Sequence, residues 1–206
     1  MYLPAHFEAT DLAQLHALMR AHPLATWVTQ IQGDYEVNHV PLHLDASRGE
    51  HGTLVGHLAR ANPLWKAPPS AGVFIFQGPQ AYVTPSWYPS KREHGKVVPT
   101  WNYAVVHAYG TPRFIHDKPA LLELVKRLTD HHEASRAQPW AVADAPADYI
   151  DAMLGAIVGV EIPIDRVQGK FKLSQNRNEV DRLGVREGAH QGDEYTRAMA
   201  DWMPKA

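Results

Sequence analysis

Thr26-Trp27-Val28-Thr29, then Gln32-Gly33-Asp34, then Tyr35-Glu36-Val37-Asn38-His39-Val40 decide how this chain folds. The first run is β-branched and aromatic, and the second is a turn. In the third, Tyr35, Val37 and His39 alternate with Glu36, Asn38 and Val40, which is the two-residue period of a strand. The three together predict a β-hairpin. The same signals recur outward from it. Thr53 to His57 reads as a strand after the polar loop from Asp45 to Gly52. Gly72 to Phe76 reads as a buried strand, and Ala81 to Thr84 as its continuation past Pro79. Asn102 to Tyr109 is a long extended run, followed by a turn at Gly110-Thr111-Pro112 and a return through Arg113-Phe114-Ile115. Ile157 to Ile162 is a further strand.

Helical signals are fewer and lie at the ends and in the second half. Asp11 with Gln14 marks a start, Leu12, Leu15, Leu18 and Met19 follow at helical spacing, and Pro23 stops the run. Ala59 to Trp65 reads as a helical turn broken at Pro63. Asp117 caps a helix carrying Leu121, Leu122, Leu124, Val125 and Leu128 on one face. A second helix spans Ala147 to Leu154 and ends at Gly155. From Asn178 onward the chain reads as short helices, with Tyr195, Ala198, Met199 and Trp202 forming an apolar stripe that packs against the sheet. Many short strands with helices inserted late predict a small antiparallel barrel with flanking helices.

Composition bounds the function. At 206 residues the chain makes one domain or two small ones. It has no cysteine, which excludes disulfides, zinc–thiolate sites and thiol catalysis and suits a reducing, cytoplasmic setting. The opening Met-Tyr-Leu-Pro-Ala-His-Phe has no basic and apolar leader pattern, and no membrane span is expected. A net charge of −2 supplies no overall basic field for DNA. The thirteen histidines raise metal and haem as questions. His39 and His43 share a strand face but have no evident third ligand, so no metal site is predicted.

Three stretches are too specific for scaffolding alone. Gly56-His57-Leu58-Ala59-Arg60-Ala61-Asn62-Pro63-Leu64-Trp65 puts an imidazole, a guanidinium and an amide at a strand-to-helix junction, where backbone N–H groups and Arg60 suit a phosphate. Val98-Pro99-Thr100-Trp101-Asn102-Tyr103 offers Trp101 to stack on a planar ring and Asn102 to read its polar atoms. Gly169-Lys170-Phe171-Lys172-Leu173-Ser174-Gln175-Asn176-Arg177 is a basic patch with alternating lysines. Anion ligands, a stacking aromatic and amides form a set that a phosphorylated planar cofactor fits. Barrel packing, a solvated helix start and a charged edge strand are the plain alternatives for each stretch.

At these residues the sequence resembles the PaiB-like family of FMN-binding negative transcriptional regulators. The resemblance runs from about Met1 to Arg186 through Tyr2-Leu3-Pro4 with Phe7, Gly56 to Pro63, Phe76-Gln77-Gly78-Pro79 with Tyr82, Pro85-Ser86-Trp87-Tyr88, Val98 to Tyr103 and Lys172 to Arg177. It implies a mainly β, antiparallel split barrel with flanking α-helices, similar to pyridoxamine 5′-phosphate oxidase. That fold dimerises and holds FMN at the dimer interface. It implies one such domain over residues 1–206, with helical insertions near 117–154 and a helical tail near 178–206. The oxidase's Arg-Lys turn falls near Arg60 and Asn62. Its basic strand falls near Asn38 to His43, where this chain has neither Arg nor Lys. The implied cofactor set is therefore His39, His57, Arg60, Asn62, Thr100, Trp101, Asn102, Lys170, Lys172 and Gln175.

The implied function is a homodimeric flavin-binding repressor that meets DNA directly or indirectly. The alternative is a flavin-dependent oxidoreductase contacting a small substrate through His107, Tyr103 and Trp87. A haem-handling split barrel rests on histidine content alone.

Overall fold

The structure is a computed structural model that describes residues 1–204. In chain order its strands and helices are β1 (Glu8–Ala9), α1 (Leu12–Ala21), β2 (Leu24–Ile31), β3 (Asp34–Pro41), β4 (His43–Asp45), β5 (Thr53–Ala59), β6 (Gly72–Val83), α2 (Ser90–His94), β7 (Thr100–Gly110), β8 (Arg113–Ile115), α3 (Lys118–Glu133), α4 (Ala147–Gly155), β9 (Ile157–Pro163), β10 (Arg166–Lys172), α5 (Glu179–His190) and α6 (Glu194–Asp201). They fall into two compact units: residues 1–22, 76–107 and 168 onward, and residues 23–75 and 108–167.

The hairpin forms as its sequence predicts. β2 and β3 pair in register from Leu24↔Pro41 to Ile31↔Asp34. The two residues between them, Gln32 (φ 52°) and Gly33 (φ 96°), both take positive φ. A two-residue turn of that hand matches the natural twist of the strands it joins. On its other side β2 pairs with Val73–Ile75 of β6. Trp27 is fully buried there, with its ring 5.0 Å from Phe74. The same unit holds a four-stranded antiparallel sheet in the order β4-β5-β9-β8. α3 lies against it through Leu121 and Leu124, near Gly159, where a Cβ would meet Leu121 at 2.9 Å. Arg48 forks onto Glu161 at 2.7 and 2.8 Å, tying the polar loop after β4 to β9.

In the other unit the strand order is β1-β10-β7-β6, with Glu8↔Lys170 in register. α1 starts at the Asp11 cap, which accepts from the Ala13 N–H, and buries Leu15, Leu18 and Met19. α5 is held by Asp181, which is 4% exposed and accepts from the Ser90 N–H at 3.1 Å and Oγ at 2.7 Å. Its Gly188 faces Trp87 so closely that a Cβ would meet the indole at 2.3 Å.

Several expectations are revised. The strand orders have ends, so neither sheet closes on itself. β6 runs unbroken through Pro79, which lies beyond the stretch Val73–Ile75 that pairs with β2. Pro63 opens a 3-10 turn at Pro63–Lys66 rather than breaking one, since a first-turn N–H has no partner to lose. β8 pairs with β9 instead of folding back on β7. Gly110 sits against Pro163, with room for no Cβ, and the chain passes into the other ladder. In α6 the buried residues are Met199 and Ala200, followed by Met203, while Tyr195 is 78% exposed. The inward face is turned by one position from the predicted stripe.

Candidate functional site

The ten predicted cofactor residues fall into two groups. Thr100, Trp101, Asn102, Lys170, Lys172 and Gln175 lie in one unit. His39, His57, Arg60 and Asn62 lie in the other.

The first group is built on the neighbouring strands β7 and β10. Alternation along β10 places Lys170 and Lys172 on one side. Lys172 donates to Thr100 Oγ1 and to the Trp101 carbonyl. Lys170 is 8% exposed, donates to the Tyr2 carbonyl at 2.9 Å, and sits 5.1 Å from the Tyr2 ring and 5.6 Å from the Tyr103 ring. Among the described residues no carboxylate pairs with Lys170, Lys172 or Arg177. Burial pushes Lys172 below its ordinary lysine value, and the charges of Lys170 and Arg177 push it further. A cluster of cations, one of them almost wholly buried and none within ion-pair distance of a carboxylate among the described residues, has the chemistry to receive an anion.

Beside the lysines, Trp101 is 48% exposed and Tyr82 is 50% exposed, with their rings 6.2 Å apart edge to face. The Trp101 N–H donates to Gln80 Oε1 at 3.0 Å, which fixes the indole plane. Asn102 and Gln175 brace the turn that follows β10. Asn102 is fully buried and donates to Ser174 Oγ at 2.9 Å. Gln175 spans the turn by donating to the Phe171 carbonyl and accepting from the Leu173 N–H. Between them Ser174 is held at φ 67°. Tyr2 was not among the predicted residues. Its place beside Lys170 follows from the pairing of β1 with β10, which no local pattern announces.

The second group is more heavily committed to structure. Arg60 donates Nε to the Gly155 carbonyl and Nη2 to the Ile157 carbonyl, each at 2.7 Å, and its backbone N–H meets the Ala156 carbonyl at 2.8 Å. It thereby stitches the end of β5 to the link between α4 and β9. Asn62 caps the 3-10 turn through the Leu64 N–H and donates to Asn38 Oδ1 at 2.7 Å. His57 is lowered from its ordinary value by burial. His39 lies exposed on β3, opposite Thr26. Among the described residues no three His, Asp or Glu side chains gather as a metal site.

A family model described as "Putative FMN-binding domain" matches residues 1–166. The chain belongs to this FMN-binding, PaiB-like family. Over 90% of its length it is 34% identical to "Protease synthase and sporulation protein PAI 2" of Bacillus subtilis, covering 87% of that protein. It is 36% identical to an uncharacterised protein of Emericella nidulans, covering 91% of this chain and 90% of that one. Among solved structures it resembles the FAD and heme binding protein from Mycobacterium smegmatis, at TM-score 0.61 and 18% identity over 85% of this chain and 78% of that one. At that identity the likeness is one of fold. The fold of this FMN-binding family member is the antiparallel split barrel with flanking helices, and its cofactor is FMN.

The residues present fit the group. A pair of lysines without an ion-paired carboxylate and braced by a hydroxyl suits a phosphate monoester, and a half-exposed indole beside a tyrosine suits a planar ring. No helix of the described residues is long and apolar enough to cross a membrane.

Proposed function

We propose that the protein is a homodimeric, cytoplasmic FMN-binding regulator of the PaiB type, a repressor in which the flavin serves as sensor or structural ligand. Lys172, Lys170 and Thr100 hold the FMN phosphate, and Trp101 flanks the ring. Asn102 and Gln175 keep the Ser174 turn in place beneath them. His57, Arg60, Asn62 and His39 form a further candidate set for the cofactor. In that set Arg60 has two of its donors already engaged by the Gly155 and Ile157 carbonyls. When bound, FMN supplies electron or hydride exchange, and the chain supplies binding and orientation.

The observation that carries this reading is the Lys170–Lys172 pair, desolvated and without a carboxylate partner. The regulatory role draws support from the Bacillus subtilis relative, whose name places it in protease synthesis and sporulation. The oxidoreductase reading draws less support. Trp87 packs on Gly188 and the Tyr103 ring lies near the Lys170 ammonium, so two of the three proposed substrate contacts, Trp87 and Tyr103, have structural duties of this kind.

The test is an absorption spectrum of the purified protein after desalting, with flavin bands expected to persist. Gel filtration is expected to give a dimer, and DNA affinity is expected to fall steeply as salt rises. Loss of all flavin on desalting, with no rebinding on titration, would remove the cofactor from the reading. NADH-dependent turnover without DNA binding would favour the enzyme instead.

A further inference from the structure

The second unit contains a cavity of about 370 Å³ walled by the α3 residues Val125 and Leu128 and by Pro41, and fringed by His43, His57 and Trp140. Thr129, His132 and Glu133 complete its rim. A neighbouring hollow of about 180 Å³ shares His57, Val125 and Trp140 and extends toward Met153 and Leu154. The larger one is within the size range of small-molecule sites.

The polar groups of this cavity discriminate by charge. Glu133 is its only carboxylate, and both oxygens are engaged. Oε2 accepts from the Trp140 N–H at 3.1 Å, and Oε1 faces Arg136 Nε at 3.5 Å. The Arg136 guanidinium thus offsets the one carboxylate lining this cavity. The remaining polar groups are three imidazoles and one hydroxyl, every one able to donate. His43 is opposite Val55 on β5, two residues from His57, so both imidazoles serve the same sheet face. The His43 ring meets that of His131 edge to face at 4.4 Å. The indole of Trp140 is 46% exposed and anchored at its backbone by Glu133, giving a flat apolar surface already in position.

We propose that this cavity binds a planar aromatic carboxylic acid, with its ring against Trp140 and the aliphatic side of α3 and its carboxylate received by His43, His57 and His132. The proposal does not rest on the Lys170–Lys172 phosphate site and shares only His57 with the further cofactor set. His43 and His57 both lie below the ordinary histidine value because of burial, and His43 also feels His131, His132 and Arg127 of α3, opposed by Asp45 of β4. An arriving carboxylate favours the charged imidazole, so binding takes up protons and strengthens as pH falls.

The experiment is calorimetric titration of the FMN-loaded full chain with 2-naphthoate and with its uncharged counterpart 2-naphthamide, at a pH of about 6 and of about 8. Naphthoate is expected to bind about tenfold more tightly at the lower pH and more tightly than the amide. Trp140→Ala and His132→Gln are both at exposed positions, and each should weaken it about tenfold without altering the flavin spectrum. Equal binding of the amide, affinity independent of pH, insensitivity to both substitutions, or absence of binding would each overturn the proposal. Displacement of naphthoate by added FMN would also overturn it and give the cavity to the flavin. Loss of flavin with naphthoate binding retained would count only against the cofactor reading.

Discussion

Lys172 and Thr100 are joined by a hydrogen bond between the neighbouring strands β10 and β7, the ammonium donating to Oγ1. The hydroxyl aims a charge that has no acid to neutralise it. Lys172→Met should therefore weaken FMN by about 1.5–3 kcal/mol, the range for bonds to charged groups, as read by flavin fluorescence titration. Because burial disfavours the charged form of Lys172, the substitution should leave the urea midpoint unchanged or slightly raised. A large loss of stability with unaltered FMN affinity would make Lys172 a scaffold residue.

Arg60→Ala is expected to cost stability. The guanidinium joins the end of β5 to two carbonyls, and its loss, with water able to reach the exposed one, should cost about 0.5–1.5 kcal/mol by urea unfolding. Arg60→Lys reaches one carbonyl at most and should recover about half. If flavin affinity falls in both variants while the unfolding midpoint stays fixed, Arg60 belongs to the cofactor site.

The Arg48–Glu161 pair sets an acid-side dependence. The Arg48 fork holds Glu161 below the ordinary carboxylate range. The stabilisation is therefore complete above that range and disappears as pH falls through the lowered value. Both side chains are partly exposed, so Arg48→Met should cost no more than about 1 kcal/mol at neutral pH. The difference from the parent should vanish in strong acid. A cost that persists there would assign the effect to lost packing.

Gln32 occupies a left-handed position where an L side chain is strained. Gln32→Asn should stabilise the protein by about 0.5–1 kcal/mol, since asparagine tolerates that region and favours this turn. Thermal unfolding measures it. No gain would mean that the bond from Gln30 Nε2 to the Gly33 carbonyl already fixes the turn.

What the sequence disclosed follows the range of the forces involved. The hairpin, the Asp11 and Asp117 caps and the strand at Ile157 are local, and their residues carry the signal. The partner of β8 is not local: Arg113 to Ile115 look the same whichever strand they face, and the close approach of Gly110 to Pro163 beside β9 is visible only in the folded chain. The same division runs through the site. The alternating lysines and Trp101 were readable as chemistry. The duties of Asn102 and Arg60 were not, because each depends on a hydroxyl or carbonyl brought from far along the chain, and that of Gln175 was not, because its local bonds depend on the left-handed turn at Ser174.

The two units change over within strands, at residues 75–76 of β6, 107–108 of β7 and 167–168 of β10. A polypeptide emerging from the ribosome thus has every segment of the unit bearing Arg60 once residue 167 is out. The unit bearing Lys172 must wait for nearly the last helix. No single proteolytic nick can release either one whole. Translation products that end before residue 170 keep Thr100 and Trp101 but lack both lysines, so they should be unable to take up flavin.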